Sequence, residues 1–451
     1  MNRSKYKMSR GQSDIPALRL EVLQEFVETF KAPPNLVMSN LFPKRNADSS
    51  SIKWESQRGG RGMTPFVPPG HPAPLSAGYG IAEHTAEAAY WKEKRYFDEE
   101  FLNNLRKPGT DASHHTAMDI LSDAMSDISN RANRRKEWMF CQMLFTGSLT
   151  YQLKGGVKFT LDYGIPSTHK VSLASAYYWD TGGSKDILGD IKTGKRKISE
   201  AVGSHVTKAM CNSKVLDMIG KDTTLQALLY RDRFGDGSLF GSSGVDPLAL
   251  VNARTLGQLF DIDEIIVYDE MYEVKAWLTA AVTAGSTTWL TVNDASDFEA
   301  YSTIKIVDQT DGSFEERIVL SVDKANDRIQ IEYPFTSSYQ AGEDYVSMTR
   351  YFMPDDKFVM FTDKVDGKPI ARYMQAPFGL GRHYGMYVDK KEVWDPEGIY
   401  VRVQDKGLPV LYHTDAIYTI DVTATTGESA TSTTTTTSTT TTSTTSTTTA
   451  P

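Results

Sequence analysis

The chain has 451 residues, 40% hydrophobic and 24% charged, with a net charge of −8. That leaves room for two to four compact units with a substantial core, and it excludes a general polycationic grip on nucleic acid. Cys141 and Cys211 permit at most one bridge and fit a reducing compartment; no run of roughly 18 apolar residues predicts a membrane span, and the basic "MNRSKYKMSR" has no apolar signal region behind it.

"IPALRLEVLQEFVETF" places Leu18, Val22, Leu23, Phe26, Val27 and Phe30 at helical spacing, and "KAPPN" stops the predicted amphipathic helix. An extended region follows over 46–100. Its centre, "RGGRGMTPFVPPGHPAP" at 58–74, combines two arginines, five prolines and the apolar Phe66 and Val67. The prolines exclude a helix there and cannot donate to a central ladder. So long a structureless loop is improbable inside a lone compact domain, so the segment is expected to be completed by another chain.

From Ser113 the pattern turns helical. "SHHTAMDILSDAMSDISNRANRRKEWMFCQMLFTG" sets Ala117, Leu121, Ala124, Ile128, Trp138 and Phe145 near one stripe, with acids early and Arg and Lys in later turns. Such a helix is a rod of roughly 50 Å, ending near Gly147. Its polar middle, "NRANRRKE", implies a face that stays wet or meets charges. "TYQLKGGVKFTLDYG" reads as a hairpin. Two helices, "SKDILGDIKTGKRKISEAVG" and "SKVLDMIGKDTTLQALL", come next. "LGQLFDIDEIIVYDEMYEV" gives a short helix and a buried strand, and "RYFMPDDKFVMF", "GIYVRVQ" and "AIYTIDV" supply later strands. This interleaving lacks regular βαβ spacing, so the fold class is α+β.

Residues 275–349 stand apart as short alternating runs with no helical pattern. Twelve Asp and Glu against five Lys and Arg give them a net charge of −7, nearly the whole chain's excess. They read as a small all-β module inserted between two strands of a host domain. Residues 431–449 are uninterrupted Ser and Thr, a tract without the apolar side chains that offset ordering entropy.

No chemistry of catalysis stands out. His114 and His115 are adjacent on a helix and point different ways, without further ligands at metal spacing. "DRFGDGSLFGSSG" at 232–244 lacks the closing Glu of a calcium loop and the Lys-Ser/Thr of a phosphate loop. No G-x-S-x-G occurs. Catalytic, cofactor and metal residues are therefore none. "RGGRG" reads as part of a structural arm rather than a nucleic-acid element, because its flanks are apolar.

The order of these pieces resembles the lambda-like major capsid protein E family of tailed double-stranded DNA bacteriophages. "TPFVPPGHPAP" resembles that family's Pro-rich loop; "LGQLFDIDEIIVYDEMYEV" with "YFMPDDKFVMF" resembles its paired strands. "WDPEGIYVRVQDKGLPVLYHTDAIYTIDV" resembles its closing elements. The likeness runs over about 36–274 and 350–422. It implies the tailed-phage capsid fold: an N-terminal arm (1–45), an extended loop (46–100), a peripheral domain with the long helix (101–180 and 390–422) and an axial domain (181–274 and 350–389). The inserted all-β domain (275–349) and the Ser/Thr-rich tail (423–451) are departures.

The resemblance further implies a non-enzymatic shell subunit that forms hexamers and pentamers. Scaffolding protein and portal would be assembly partners and a decoration protein a further candidate; packaged DNA would be touched only non-specifically, and no membrane is involved. Assembly would take place in the host cytoplasm. The loop would lie over an adjacent subunit, with Trp54, Phe66 and Val67 as apolar contacts and Arg58 and Arg61 as charge-assisted ones. A tail-tube or decoration protein is the competing virion reading. A carbohydrate-active enzyme, which needs paired carboxylates in a cleft, is the competing reading of another class.

Overall fold

A computed structural model describes residues 23–25, 33, 35–58, 63, 66–68, 80–100, 111–152, 158–181, 183–234, 253–379, 381–395 and 397–424. The expected helix around 16–30, the "RGGRG" arginines' tip, most of the 232–244 loop and the Ser/Thr tract fall largely or wholly outside them. Two compact units divide the chain: a larger one ending at Val274 and resuming over Thr349–Thr423, and a smaller one formed by Lys275–Met348.

The larger unit is built around two sheets. The first joins Lys44–Asn46, Ala371–Gln375, Glu397–Leu411 and Tyr387–Trp394 in that order, and Ala89–Asp98 also pairs with Glu397–Leu411. Against it lies the long helix, Asp111–Phe145. Its first half buries a stripe through Leu121, Ala124, Met125 and Ile128 onto Phe97, Val388, Ile399 and Val401. From Lys136 to Phe145 every side chain but Gln142 is buried. The expected single stripe holds over the described side chains from Leu121 to Ile128 but not from Lys136 onward, because the second half is enclosed on several sides by Val37–Leu41, Ser148–Gln152 and strand Glu397–Leu411. Gly147 ends the helix at φ +72°, and Lys170 Nζ donates to the Thr146 carbonyl at 2.9 Å, satisfying one of the helix's last acceptors.

The second sheet runs Lys170–Ser172, Ile417–Asp421, Lys357–Phe361, Lys208–Cys211, Glu264–Val267. Helix Ile187–Val202 packs on it, capped by Asp186 at its start and by Gly203 at φ +86°. Gly194 sits where a Cβ would meet Met360 Cε at 2.2 Å, so helix and sheet approach closely only because that position has no side chain. The second predicted helix is two, Ser213–Gly220 and Thr223–Phe234. Asp222 separates them by accepting the Leu225 N–H at 2.9 Å, the N-cap role that Asp prefers.

These pairings divide the chain differently from the expected peripheral and axial ranges. Ala371–Gln375 and Tyr387–Val388, which fell in the expected axial range, join the long helix's sheet. Lys170–Ser172 and Ile417–Asp421, expected with the peripheral domain, join the sheet under helix Ile187–Val202. Ala89–Asp98, expected within the extended loop, forms ten paired positions with Glu397–Leu411. Partner choice across hundreds of residues is a tertiary property that local patterning does not carry.

The smaller unit lies on a six-stranded sheet ordered Met271–Trp277, Tyr345–Tyr351, Thr303–Val307, Phe314–Asp323, Arg328–Ile331, Trp289–Thr291. Ile304, Ile306, Val319, Ile329, Ile331 and Val346 alternate inward to make its core. Glu315 fastens a loop to this sheet. Its carboxylate accepts the N–H groups of Thr336 and Ser337 at 2.9 and 2.8 Å, and Arg317 Nη2 lies 2.7 Å away. Desolvation opposes the ionised form, but these hydrogen bonds prevail and hold the carboxyl at about 2. A depressed acid stabilises the fold above its unfolded value and loses that contribution as pH falls toward the folded one. Hydrogen exchange over residues 275–348, compared between wild type and Glu315→Gln at each pH, should therefore differ at pH 5 and converge toward pH 2.

Candidate inter-subunit surface

The hairpin after the first short strand pairs Ser51–Arg58 with Gly80–Glu87 over eight antiparallel positions, from Ser51↔Glu87 to Arg58↔Gly80. Its alternation is strict where side chains are described: Ile52, Trp54 and Ser56 are buried, while Lys53 and Glu55 face out. The base is fastened to its own subunit. Trp54 stacks on the opposite His84 with ring centroids 5.3 Å apart, and His84 Nε2 meets Ser56 Oγ at 2.9 Å. Trp54 also tilts against Tyr163, whose hydroxyl donates to the Pro409 carbonyl at 2.9 Å. The Tyr151 hydroxyl donates to the Glu87 carbonyl.

Trp54 is only 6% exposed. It is not an outward contact but an internal anchor, because its position in the alternation turns it onto the core. Phe66 is fully exposed, Val67 partly so, and Met63 is 90% exposed. The backbone of Arg58 closes the ladder at Gly80, but its side chain lies outside the described residues, as does all of Arg61.

A second feature had no counterpart in the sequence reading. At the hairpin's base a cleft of about 550 Å³ is lined by Arg45, Lys53, Lys368 and Arg372, by Glu55 and Glu83, and by Trp54, Pro369, Tyr412 and His413. Glu55 and Glu83 stand directly opposite each other across the hairpin, a disfavoured like-charge pair on its own. Burial lowers the His413 pKa, so that side chain adds little positive charge. The four cations come from four separate strands, so no local motif could have announced them.

Among the described residues no group of His, Cys, Asp or Glu forms a metal site. Both cysteines are free and buried; burial pushes the Cys141 thiol well up and that of Cys211 to about 12, which disfavours either thiolate. Among the described residues no helix is long and apolar enough to cross a membrane.

The family model described as phage major capsid protein E matches residues 19–295. The chain belongs to that family. This major capsid protein is accordingly a virion component. No curated protein matches it. Among solved structures it is similar to a phage-related protein of Bordetella bronchiseptica RB50, at 13% identity and TM-score 0.45 over 89% of this chain and 96% of that one. A protein described as a prophage capsid protein in E. coli CFT073 matches at 14% identity and TM-score 0.49, covering 89% and 98%. The mature capsid of bacteriophage PhiM1 matches at 8% and 0.39, covering 87% of each. The family assignment rests on the family model alone.

Proposed function

We propose that this major capsid protein tiles an icosahedral head as hexamers and pentamers around double-stranded DNA, with the hairpin of each subunit reaching over a neighbour. The match over residues 19–295 carries the reading. The hairpin supports it: a base locked into its own core leads to Met63 and Phe66 standing in water, apolar surface that a lone molecule gains nothing by displaying. Repeated around a shell, modest contacts of this kind add up. Scaffolding protein and portal are the assembly partners in this reading, a decoration protein can add to the outside, and DNA is met only non-specifically at a chain of net charge −8. The role is structural rather than catalytic, and assembly takes place in the host cytoplasm.

Negative-stain microscopy of the full chain co-expressed with its scaffold tests this. Closed, uniform shells are expected; soluble monomers or tubes would refute it. Phe66→Ser should leave the free subunit's stability within about 0.5 kcal/mol of wild type, as for an exposed site, and reduce closed particles several-fold. An unchanged particle yield would remove Phe66 from the interface.

A further inference from the structure

The long sheet carries a second charged surface, opposite in sign to the basic cleft. At one end of it, residues 98–100, 392–395 and 397–398 hold Asp98, Glu99, Glu100, Glu392, Asp395 and Glu397 and contain no Lys or Arg. Strand pairing gathers them: Trp394 sits opposite Glu397, and Gly398 opposite Asp98. In their midst Trp394 is 93% exposed. Trp is the residue most often found as the buried anchor of an interface, and one so open to water has no packing role in its own chain.

We propose that neighbouring subunits join head to tail, the acidic rim and Trp394 of one copy seating in the basic cleft at the hairpin base of the next. This rests on the shell reading above and names a contact within it. The two surfaces lie at opposite ends of strand Glu397–Leu411. At about 3.3 Å per residue that strand is about 45 Å long, so the surfaces cannot meet within one chain. Arg45, Lys53, Lys368 and Arg372 have no ion-pair partner among the described residues and outnumber the cleft's two carboxylates, so the cleft holds a surplus of two positive charges. Trp54 on its wall keeps a buried indole N–H without an acceptor. Opposite charges on different surfaces of one molecule make a heterologous contact, and heterologous contacts close into rings, the geometry a capsomer needs.

Cross-linking tests the pairing, aided by the burial of both native cysteines. Particles carrying Trp394→Cys together with Lys368→Cys should, on mild oxidation, give a reductant-sensitive ladder of multimers in denaturing electrophoresis, while either single variant stays monomeric. Independently, Lys368→Glu with Arg372→Glu should lower particle yield at least tenfold without shifting the free subunit's Tm. Adding Asp395→Lys and Glu397→Lys should restore most of that yield. Normal shells with no ladder, or charge reversal without loss and rescue, would overturn the head-to-tail contact and leave the shell reading standing. Failure of the wild-type chain to form shells would remove both.

Discussion

Replacing Glu137 by alanine is expected to destabilise the larger unit by about 3 kcal/mol or more, because buried donors would lose their only charged acceptor. Glu137 lies on the long helix and is fully buried. Its carboxylate accepts the Met38 N–H at 2.7 Å, the Ser39 N–H and hydroxyl at 2.8 Å each, and the Tyr268 hydroxyl at 3.0 Å. The helix Val37–Leu41 has Leu36 at its N-cap and no side-chain cap of its own. Glu137 supplies from across the structure what that cap lacks, satisfying first-turn N–H groups and placing negative charge at the helix start. One side chain therefore ties together the N-terminal arm, the long helix and the end of strand Glu264–Val267.

Glu137→Gln should cost less than alanine and more than nothing, since an amide keeps one acceptor oxygen and turns an NH₂ toward groups that are themselves donors. Burial raises the Glu137 carboxyl above its ordinary value, against the pull of its hydrogen bonds from Met38, Ser39 and Tyr268. The folded chain thus retains a proton that the unfolded chain has released, and the wild type's stability falls as pH rises out of the ordinary carboxylate range. Urea unfolding should show wild type losing ground relative to Glu137→Gln as pH rises from about 4.3, then a constant gap above the folded value. A gap independent of pH would show that the carboxylate is not desolvated.

Lys136→Met is expected to cost about 3–5 kcal/mol, since it strands a buried carboxylate. Lys136 Nζ lies 2.6 Å from Asp405 Oδ2, with 4% and 0% of the two side chains exposed. The ammonium also sits 5.5 Å from the Tyr373 ring centroid and 5.8 Å from that of Trp91, so aromatic faces surround the pair. Desolvating both ions offsets much of their attraction, so the pair is weakly stabilising as a unit while either half alone is costly. The double variant Lys136→Met with Asp405→Leu should accordingly recover most of the single variant's loss, and a denaturant-based double-mutant cycle reads that coupling directly. Additive losses would contradict the pairing.

Lys136 and Glu137 belong to the polar run "NRANRRKE", and they show where reading by periodicity stops. That run marked a face that is wet or meets charges, and burial settles it for these two: each meets its own buried partners, Asp405 and the Met38–Ser39 turn. Neither partner is near in sequence, so spacing could not name them. Trp54 is the same case in reverse. Beside a Pro-rich loop it looked like a contact for a neighbour, yet two-residue alternation along Ser51–Arg58 turns it inward. The alternation was present in "SIKWESQR", but which face met a core was not.

The amino-acid order alone determined the elements whose cause is local. These are the long helix ended by Gly147, the hairpin Ser148–Gln152 with Lys158–Asp162, and the inward alternation of the strands within 275–349. A 3.6- or two-residue period and a left-handed glycine need no distant partner to act. Tertiary structure alone decided which strands share a sheet, which charges are buried in pairs, and the convergence of Arg45, Lys53, Lys368 and Arg372 on one cleft. Each of these depends on contacts between residues far apart in the chain, and such contacts form only once loops close and a particular register is adopted.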